Sequence, residues 1–252
     1  MTSSSASRKA KIQAATPKSQ QRKGASPLVV ATVVAVVVLA AVVTAVILGS
    51  QNKQAATTAG GSSIPRGASA MGAGIVVNPD APAGAPTLDL YEDFQCPVCA
   101  EFEKRFGADL TALAEQGQVK LVFHTLSFLD DNLRNDSSNR AANAASCAAD
   151  QDKFLGYHAA TFSGQPVKEG AGYTDAALKS FAETAGLTGA GLTTWEKCYN
   201  DRAHNQYVES VQTQSEKDGV NGTPTLKLDG KTLNLQGLTV ESLAAAVKGA
   251  TQ

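Results

Sequence analysis

Acidic residues are missing from the first 79 positions of this chain, and cysteine and histidine are scarce throughout. The 252 residues include four cysteines and three histidines. The first acidic residue is Asp80, and it follows eight lysine and arginine residues. The chain as a whole nevertheless has a net charge of only −1. Because nucleic-acid-binding domains are strongly basic, this balance argues against that class and predicts no nucleic-acid partner.

The cysteine spacing also argues against a zinc site. Structural zinc sites combine one C-x-x-C with a second one or with closely spaced histidines, and Cys147 and Cys198 provide neither arrangement. We therefore expect no metal and no separate cofactor. No cysteine precedes Cys96, so no lipid-attachment cysteine follows the long apolar run near the N-terminus.

That run, PLVVATVVAVVVLAAVVTAVILG at residues 27–49, carries no charge. Because about 20 apolar residues of helix span the ~30 Å hydrocarbon core of a bilayer, the run predicts a transmembrane helix. A buried core helix fits less well, since core helices are seldom apolar on every face. A cleavable signal peptide is a stronger rival, but its apolar region is normally about 7 to 15 residues long. An uncleaved signal anchor is favoured.

Charge on either side of residues 27–49 predicts a single-pass cell-membrane protein. Six basic residues precede the run, so the positive-inside rule places residues 1–26 in the cytoplasm and the rest of the chain outside. Residues 1–26 have almost no large apolar side chain, which predicts disorder. Residues 50–72 have the composition of a flexible linker. Residues 73–252 remain for one folded domain, which we expect to be a monomer.

Apolar periodicity in the first half of the domain predicts a strand–helix–strand unit. Residues 74–77 and 87–93 have the pattern of strands. A helix is predicted to begin at Pro97 and to end at Gly117. Its apolar stripe is formed by Val98, Phe102, Phe106, Leu110 and Leu113. Residues 119–129 are rich in β-formers and predict a buried strand returning beside the first.

A helical block is predicted for residues 137–218, inserted after this unit. Thr174 is expected to cap one of its helices, which Gly186 ends. The pair Thr193 and Glu196 has the spacing of a capping box and predicts the start of the last helix of the block.

Residues 223–235 return to a strand pattern and predict a β-hairpin turning at Asp229-Gly230. Thr239 is expected to cap a final helix. The order of elements predicts an α/β fold, in which a mixed central sheet is flanked by helices.

Cys96 and Cys99 form a C-P-V-C motif at the start of the predicted helix. Cys96 would lie at the helix N-terminus, where unpaired N–H groups and the helix dipole stabilise a thiolate and lower its pKa. Cys99 would lie almost one turn further on, deeper and close enough for a disulfide. A ring this small removes little chain entropy, so a redox-active pair is favoured over a purely structural disulfide.

Cys147 and Cys198 fall within predicted helices, with no helix start to activate them. An even number of cysteines outside the cytoplasm suggests two disulfides, so by elimination these two would pair with each other. The bond would close a loop of about 50 residues and stabilise the fold by roughly 4 kcal/mol in the chain-entropy account. The alternative is a second redox pair that relays electrons to the first.

The segment YEDFQCPVCAEFE, the helical insertion and the segment GVNGTPT together resemble the DsbA-like branch of the thioredoxin superfamily, the extracytoplasmic thiol:disulfide oxidoreductases. The resemblance covers residues 73–250. It implies a thioredoxin fold interrupted by a helical domain, with Pro224 in the cis form and facing the Cys96–Cys99 pair. It also implies that the backbone of Thr223 pairs with an extended substrate peptide. The residues alone would favour an ordinary trans turn at Pro224.

The sequence departs from the family pattern at two positions. Six residues before the first cysteine, well-known members carry a buried carboxylate that assists proton transfer, and this chain has Leu90. Glu92 or Asp93 would have to replace it, or water would carry the proton. Strongly oxidising members have histidine before the second cysteine, where this chain has Val98. We therefore expect a less oxidising potential than theirs.

The function expected from these features is oxidation of exported, unfolded proteins that carry free thiols. The resemblance implies a membrane reoxidase of the quinone-linked or vitamin K epoxide reductase type. A disulfide isomerase or reductase would use the same residues, although such proteins usually have a dimerisation domain for which this linker is too short. A membrane-tethered chaperone or scaffold would not need Cys96 and Cys99. The three histidines, without an evident cysteine or carboxylate partner, are expected to be structural or solvated.

Overall fold

A computed structural model of the protein describes residues 61–250 of the chain. The predicted cytoplasmic tail, the apolar run at residues 27–49 and residues 50–60 of the predicted linker lie outside this range. Within residues 61–250, no helix is both long enough and apolar enough to cross a membrane.

A mixed sheet of five strands lies at the centre of the described domain. Its strands are β1 (Ile75–Val76), β2 (Thr87–Asp93), β3 (Lys120–Leu126), β4 (Thr225–Leu228) and β5 (Lys231–Thr232). Their spatial order is β1-β3-β2-β4-β5. Strands β2 and β3 run parallel, and the other neighbouring pairs are antiparallel. The predicted mixed sheet is confirmed.

Helices connect and cover these strands. Within residues 61–250 they are α1 (Pro97–Glu115), α2 (Leu129–Leu133), α3 (Ser137–Ala149), α4 (Phe154–Ser163), α5 (Asp175–Thr184), α6 (Gly189–Asn200), α7 (Asn205–Lys217) and α8 (Val240–Ala250). Helix α1 joins the two parallel strands, and helices α3 to α7 form the helical block predicted between β3 and β4. Helix α4 packs against α1, which brings the block next to the C-P-V-C motif.

Helix α1 begins and ends close to the predicted positions, but its apolar stripe begins at a different residue. Its buried residues are Cys99, Phe102, Phe106, Leu110 and Ala114. Val98 is 63% exposed, so the prediction that it belongs to the buried stripe is wrong. Neighbouring residues point about 100° apart on a helix, and the inward position in the first turn belongs to Cys99.

The last helix of the block does not begin at Thr193. Residue Thr188 is the N-cap of α6, and Thr193 lies inside that helix, where its Oγ1 donates a hydrogen bond to Gly189 O at 3.2 Å. Helix α7 begins at Asn205, after a turn through Arg202 at φ 49°. The T-x-x-E spacing matched a capping box by coincidence, since threonine inside a helix can bond the preceding turn instead.

The end of the domain follows the predicted pattern. Asp229 and Gly230 have φ values of 45° and 75°, as a two-residue hairpin turn requires, and they join β4 to β5. Thr239 Oγ1 accepts a hydrogen bond from Ser242 N at 3.1 Å and so caps α8.

Residues 61–66 run along the helical block. Gly61 N donates to Arg202 O at 2.9 Å, and Ser63 N donates to Ala203 O at 3.0 Å. Arg66 N donates to Asp150 Oδ1 at 2.9 Å. Tertiary contacts therefore extend back to Gly61, whereas the sequence places the start of the domain at residue 73.

Candidate active site

Cys96 lies at the N-terminus of α1, just beyond the carboxyl end of β2. It is the N-cap residue, with an extended backbone (φ −77°, ψ 115°), and Pro97 occupies the first helical turn. The N–H of Cys96 donates to Asp93 O at 2.9 Å and closes the turn between strand and helix. The sequence places the cysteine at this helix start, and the structure confirms it.

The environment of Cys96 stabilises a negative charge on its sulfur. Both Cys96 and Cys99 are free thiols, and Cys99 N donates to Cys96 Sγ at 3.4 Å. The pKa of Cys96 is lowered from 9.0 to about 6, chiefly because the Cys99 thiol hydrogen-bonds to it. Burial acts in the opposite direction, while the Thr223 side chain and the backbone N–H groups of Cys99 and Val98 lower this pKa further. Cys96 is thus a thiolate near neutral pH.

Cys99 is the protonated partner of the pair. Its side chain is fully buried, and burial together with the neighbouring Cys96 and Glu92 raises its pKa far above 9.0. Cys96 is itself only 7% exposed, which is less than the sequence suggested. The two sulfurs therefore differ in proton affinity more than in accessibility.

The downstream segment GVNGTPT reaches this pair. The Thr223–Pro224 peptide bond is cis, and Cys96 Sγ lies 3.6 Å from Thr223 O. The carbonyl that precedes Pro224 thus lies against the reactive sulfur. The cis bond and its position opposite the C-P-V-C motif, which the family resemblance implied, are both present.

Glu92 lies on the side of β2 that Leu90 also faces. Side chains two apart on a strand share a face, so the carboxyl group missing at Leu90 is present one step nearer the cysteines. Glu92 is 2% exposed, and its charge raises the pKa of Cys99. Of the two acids that the sequence offered as a replacement, Glu92 is the one that interacts with both cysteines.

Glu92 belongs to a cluster with two other buried groups. Its Oε2 lies 2.8 Å from His158 Nε2, and His158 Nδ1 lies 3.7 Å from Glu103 Oε2. One oxygen from each carboxyl group and one ring nitrogen of His158 all lie within 4.8 Å of one another. We call Glu92, Glu103 and His158 the buried acid cluster.

Burial keeps the buried acid cluster close to neutral. It raises the pKa of Glu92 well above 4.5 and, together with the charge of Glu92, raises that of Glu103 to about 8. It lowers the pKa of His158, against the smaller opposing effect of Glu103. The raised pKa values favour the protonated carboxyl groups, and a protonated carboxyl group can exchange its proton with a neighbouring base.

Asp93 has a different role. Its Oδ1 accepts hydrogen bonds from Ser138 Oγ at 2.5 Å and Gln95 N at 2.9 Å, and its Oδ2 accepts one from Leu129 N at 3.1 Å. These donors fix the turn after β2 and partly oppose the burial that raises the pKa of Asp93 to about 7. Asp93 therefore supports the loop structurally and is not directed at the cysteines.

A family profile described as thioredoxin matches residues 76–249, more than half of the chain. The chain belongs to the thioredoxin family. The oxidised form of DsbA from Mycobacterium tuberculosis is 31% identical, with a TM-score of 0.56 over 66% of this chain and 83% of that one. This similarity identifies the protein as a DsbA-like thiol:disulfide oxidoreductase.

Two further similarities are narrower. Oxidised BdbD from Bacillus subtilis is 21% identical, with a TM-score of 0.59 over 75% of this chain and 98% of that one, and supports the fold alone. The serine/threonine-protein kinase PknE of Mycobacterium tuberculosis is 31% identical over 107 residues, which are 40% of this chain and 19% of the kinase. The DsbA-like chain thus spans about a fifth of the length of that kinase.

The helical insertion of this DsbA-like enzyme braces the C-P-V-C loop. Gln165 Nε2 donates to Phe94 O at 2.7 Å and to Cys96 O at 3.1 Å. Tyr173 Oη donates to the same Phe94 carbonyl at 2.7 Å. The sequence gave no reason to single out either side chain, because both act on main-chain carbonyls about 70 or more positions away.

The second cysteine pair is a disulfide. Cys147 of α3 and Cys198 of α6 are bonded, with Cα atoms 5.8 Å apart and 51 positions of separation in sequence. The predicted pairing is confirmed, and it ties together two helices of the insertion.

Each of the three histidines is buried and has a carboxylate partner that was not evident in the sequence. His124 Nε2 lies 2.9 Å from Asp89 Oδ1, His158 Nε2 lies 2.8 Å from Glu92 Oε2, and His204 Nε2 lies 2.8 Å from Asp150 Oδ2. Each contact joins residues at least 35 positions apart. Local sequence patterns do not contain such pairs.

Proposed function

We propose that this DsbA-like enzyme is an oxidase that introduces disulfide bonds into exported proteins outside the cytoplasm. The observation that carries the proposal is the low pKa of Cys96, about 6, beside the protonated and buried Cys99. Stabilising the thiolate stabilises the reduced enzyme, and a stable reduced form makes the disulfide form a better oxidant.

In the oxidising direction, a substrate thiolate attacks Cys96 Sγ of the Cys96–Cys99 disulfide. The S–S bond breaks, a mixed disulfide forms between substrate and Cys96, and the electron pair leaves on Cys99. A second substrate thiolate then attacks the substrate sulfur of the mixed disulfide. The substrate disulfide forms, and Cys96 leaves as the thiolate that its surroundings stabilise. The enzyme has gained two electrons.

Glu92 supplies the proton that Cys99 takes up when it leaves. The carboxyl group is buried near Cys99, and burial raises its pKa well above 4.5, which favours the protonated form. A proton donor is required because Cys99 has a pKa far above the working pH. Glu92 would thereby perform, from the next position on the same strand face, the task of the carboxylate absent at Leu90.

The loop at Thr223 and Pro224 is the proposed binding edge for the substrate chain. Thr223 O lies 3.6 Å from Cys96 Sγ, and proline has no N–H that would compete for this sulfur. A substrate strand aligned with Thr223 would present its cysteine to Cys96.

The N-terminal sequence and the second disulfide support the proposed location, and the family resemblance supports the proposed membrane partner. Residues 27–49, preceded by six basic residues, would anchor a monomeric enzyme in the membrane with its cysteines outside. The Cys147–Cys198 bond supports this location, because disulfides persist in oxidising compartments. A membrane reoxidase of the quinone-linked or vitamin K epoxide reductase type would remove the two electrons.

The reduction potential of the Cys96–Cys99 pair tests the proposal. Equilibration with glutathione should give a value above about −200 mV, yet below the roughly −120 mV of the strongest oxidant of this type, because Val98 offers no side-chain donor. A value near −270 mV would assign the protein as a reductase. The Cys96→Ser variant should oxidise no dithiol peptide, and full activity of that variant would favour a chaperone or scaffold.

A further inference from the structure

A groove of ≈ 1020 Å³ runs between α1 and α4, beginning at Pro97 beside the reactive cysteine. The loop after α4 forms one side of its mouth, where Gln165 bonds to Cys96 O and Val167 is fully exposed. The groove thus continues from the site at which the proposed substrate binds, and the inference below rests on the proposed function.

Glu103 and His158 lie at the floor of this groove. The side chain of Glu103 is 10% exposed, and neither Glu103 Oε1 nor Glu92 Oε1 receives a hydrogen bond from the described residues. A buried carboxyl oxygen without a donor is costly. In the free enzyme, protons on these two neighbouring carboxyl groups reduce the free-energy cost of burying them.

Gly107 leaves room for the carboxyl group of Glu103. A Cβ atom at this position would lie 2.5 Å from Glu103 Oε2, far inside contact distance. Glycine is unfavourable in the interior of a helix. At this position it leaves space for the Glu103 carboxyl group, which would have to move if a larger residue were present.

The walls of the groove combine apolar and polar side chains, and its charged lining is mainly acidic. Ala100 and Ala108 of α1 face Leu155 and Phe162 of α4 across it. Among the charged lining residues, Lys104 is outnumbered by Glu101, Glu103 and Glu115. A side chain with an aliphatic stem and a cationic tip could pack its stem against these apolar residues and pair its charge with the acid.

We propose that this groove receives a lysine or arginine side chain of the substrate polypeptide, whose cation pairs with Glu103 while a nearby substrate cysteine attacks Cys96. The enzyme then prefers unfolded chains in which a basic residue lies a few positions from a cysteine. The incoming cation displaces the proton of Glu103 to solvent and supplies the missing donor to Glu103 Oε1, while Glu92 keeps the proton that it transfers to Cys99.

Matched dithiol peptides test this preference in the full-length enzyme. Each peptide carries two cysteines and one lysine at a different distance from the first cysteine. Its twin carries norleucine, which has the same stem without the charge. The measured quantity is the ratio of kcat/KM for lysine over norleucine, in EDTA so that metal ions play no part. At the best position we expect a ratio of about ten, the size of one charge-assisted hydrogen bond.

Two variants connect the ratio to Glu103. In Glu103→Gln the ratio should fall to about two or less, because the pairing charge is gone. In Glu183→Gln, which removes an exposed charge from α5, the ratio should stay at the wild-type value. The ratio cancels any general loss of rate in Glu103→Gln. It should also persist at high salt, since a buried pair is screened less than a surface one.

Other outcomes would overturn the inference. A ratio near one at every lysine position, or a high ratio that Glu103→Gln leaves unchanged, shows that the groove does not bind the cation. If the norleucine peptides are oxidised in that case, the oxidase proposal stands without the subsite. If the wild-type enzyme oxidises no peptide at all, the oxidase proposal itself fails and the subsite fails with it.

Discussion

Glu92 Oε2 of strand β2 lies 2.8 Å from His158 Nε2 of helix α4, so one buried contact joins the thioredoxin sheet to the helical insertion. His158 also faces Glu103 of α1 at 3.7 Å. The insertion therefore supplies part of the surroundings of Cys99, in addition to covering the sheet. The proton affinity at the cysteine pair depends on groups from three elements that are distant in sequence.

Replacing Glu92 with glutamine should slow dithiol oxidation about 100-fold at neutral pH, the lower end of the usual contribution of a general acid. Glutamine keeps the shape and can hydrogen-bond, but it has no proton to transfer to Cys99. Rapid-mixing measurements of peptide oxidation from pH 5 to 8 check this, and the pH dependence of the rate should flatten in the variant.

Asp89→Asn is the matched control for that experiment. Asp89 lies on the same strand and also pairs with a histidine, His124, at 2.9 Å. It points to the other face of β2, because its position differs from that of Glu92 by an odd number of residues. Its rate profile should match that of the wild type. An equal slowing in both variants would point to a general effect on the strand.

Cys96 should titrate near pH 6, and Cys99 should control that value. The hydrogen bond from the Cys99 thiol is the largest cause of the lowered pKa, so Cys99→Ala should raise the pKa of Cys96 towards 9.0. Alkylation rates of the reduced enzyme as a function of pH measure it. Val98→Ala should leave the value in place, because Val98 contributes its backbone N–H and not its side chain. A Cys99→Ala variant that still titrates near pH 6 would assign the effect to the helix end alone.

The sequence predicted those parts of the site that depend on local chemistry. The position of Cys96 at a helix start follows from a strand pattern, a proline and the apolar stripe of α1. The deeper position of Cys99 follows from its place three residues after Cys96, almost one turn further along the helix. Strand alternation also indicates which acid replaces the carboxylate absent at Leu90. Glu92 is two positions from Leu90 and shares its face of the strand, whereas Asp93 points to the other face.

The remaining parts of the site depend on tertiary packing. Glu103 and His158 come together only because α4 packs against α1, and their separation of 55 positions in sequence does not indicate this contact. The prediction that Val98 is buried was wrong. It rested on the spacing of four residues between Val98 and Phe102, which is typical of one helix face. Val98 lies in the first turn of α1, where a helix can extend beyond the edge of the sheet, and an apolar side chain at such a position stays exposed to solvent. The cis bond at Pro224 was implied by the family resemblance and not by local residues.

The free energy of unfolding should fall as the pH rises from 5 to 8, and Glu103 should account for part of the decline. The unfolded chain releases this proton near pH 4.5, whereas the folded protein holds it until about pH 8. Between these values the folded state binds more protons, so each increase in pH favours the unfolded state. The full penalty is reached above about pH 8. Urea unfolding of the wild type and of Glu103→Gln at four pH values should give a shallower decline for the variant, and parallel curves would contradict this.

Replacing both Cys147 and Cys198 with serine should lower the free energy of unfolding by about 4 kcal/mol, because the bond closes a loop of 51 positions in the unfolded chain. The double variant avoids leaving one unpaired thiol, and urea unfolding measures the loss. Dithiol oxidation at a temperature where the variant is folded should stay within about twofold of the wild type, since a purely structural bond takes no part in the exchange. A large drop in turnover with intact folding would instead support electron relay between the two cysteine pairs. We expect lower stability with unchanged chemistry because a helix N-terminus activates Cys96, whereas Cys147 and Cys198 lie in the last turns of their helices, away from any N-terminus of those helices.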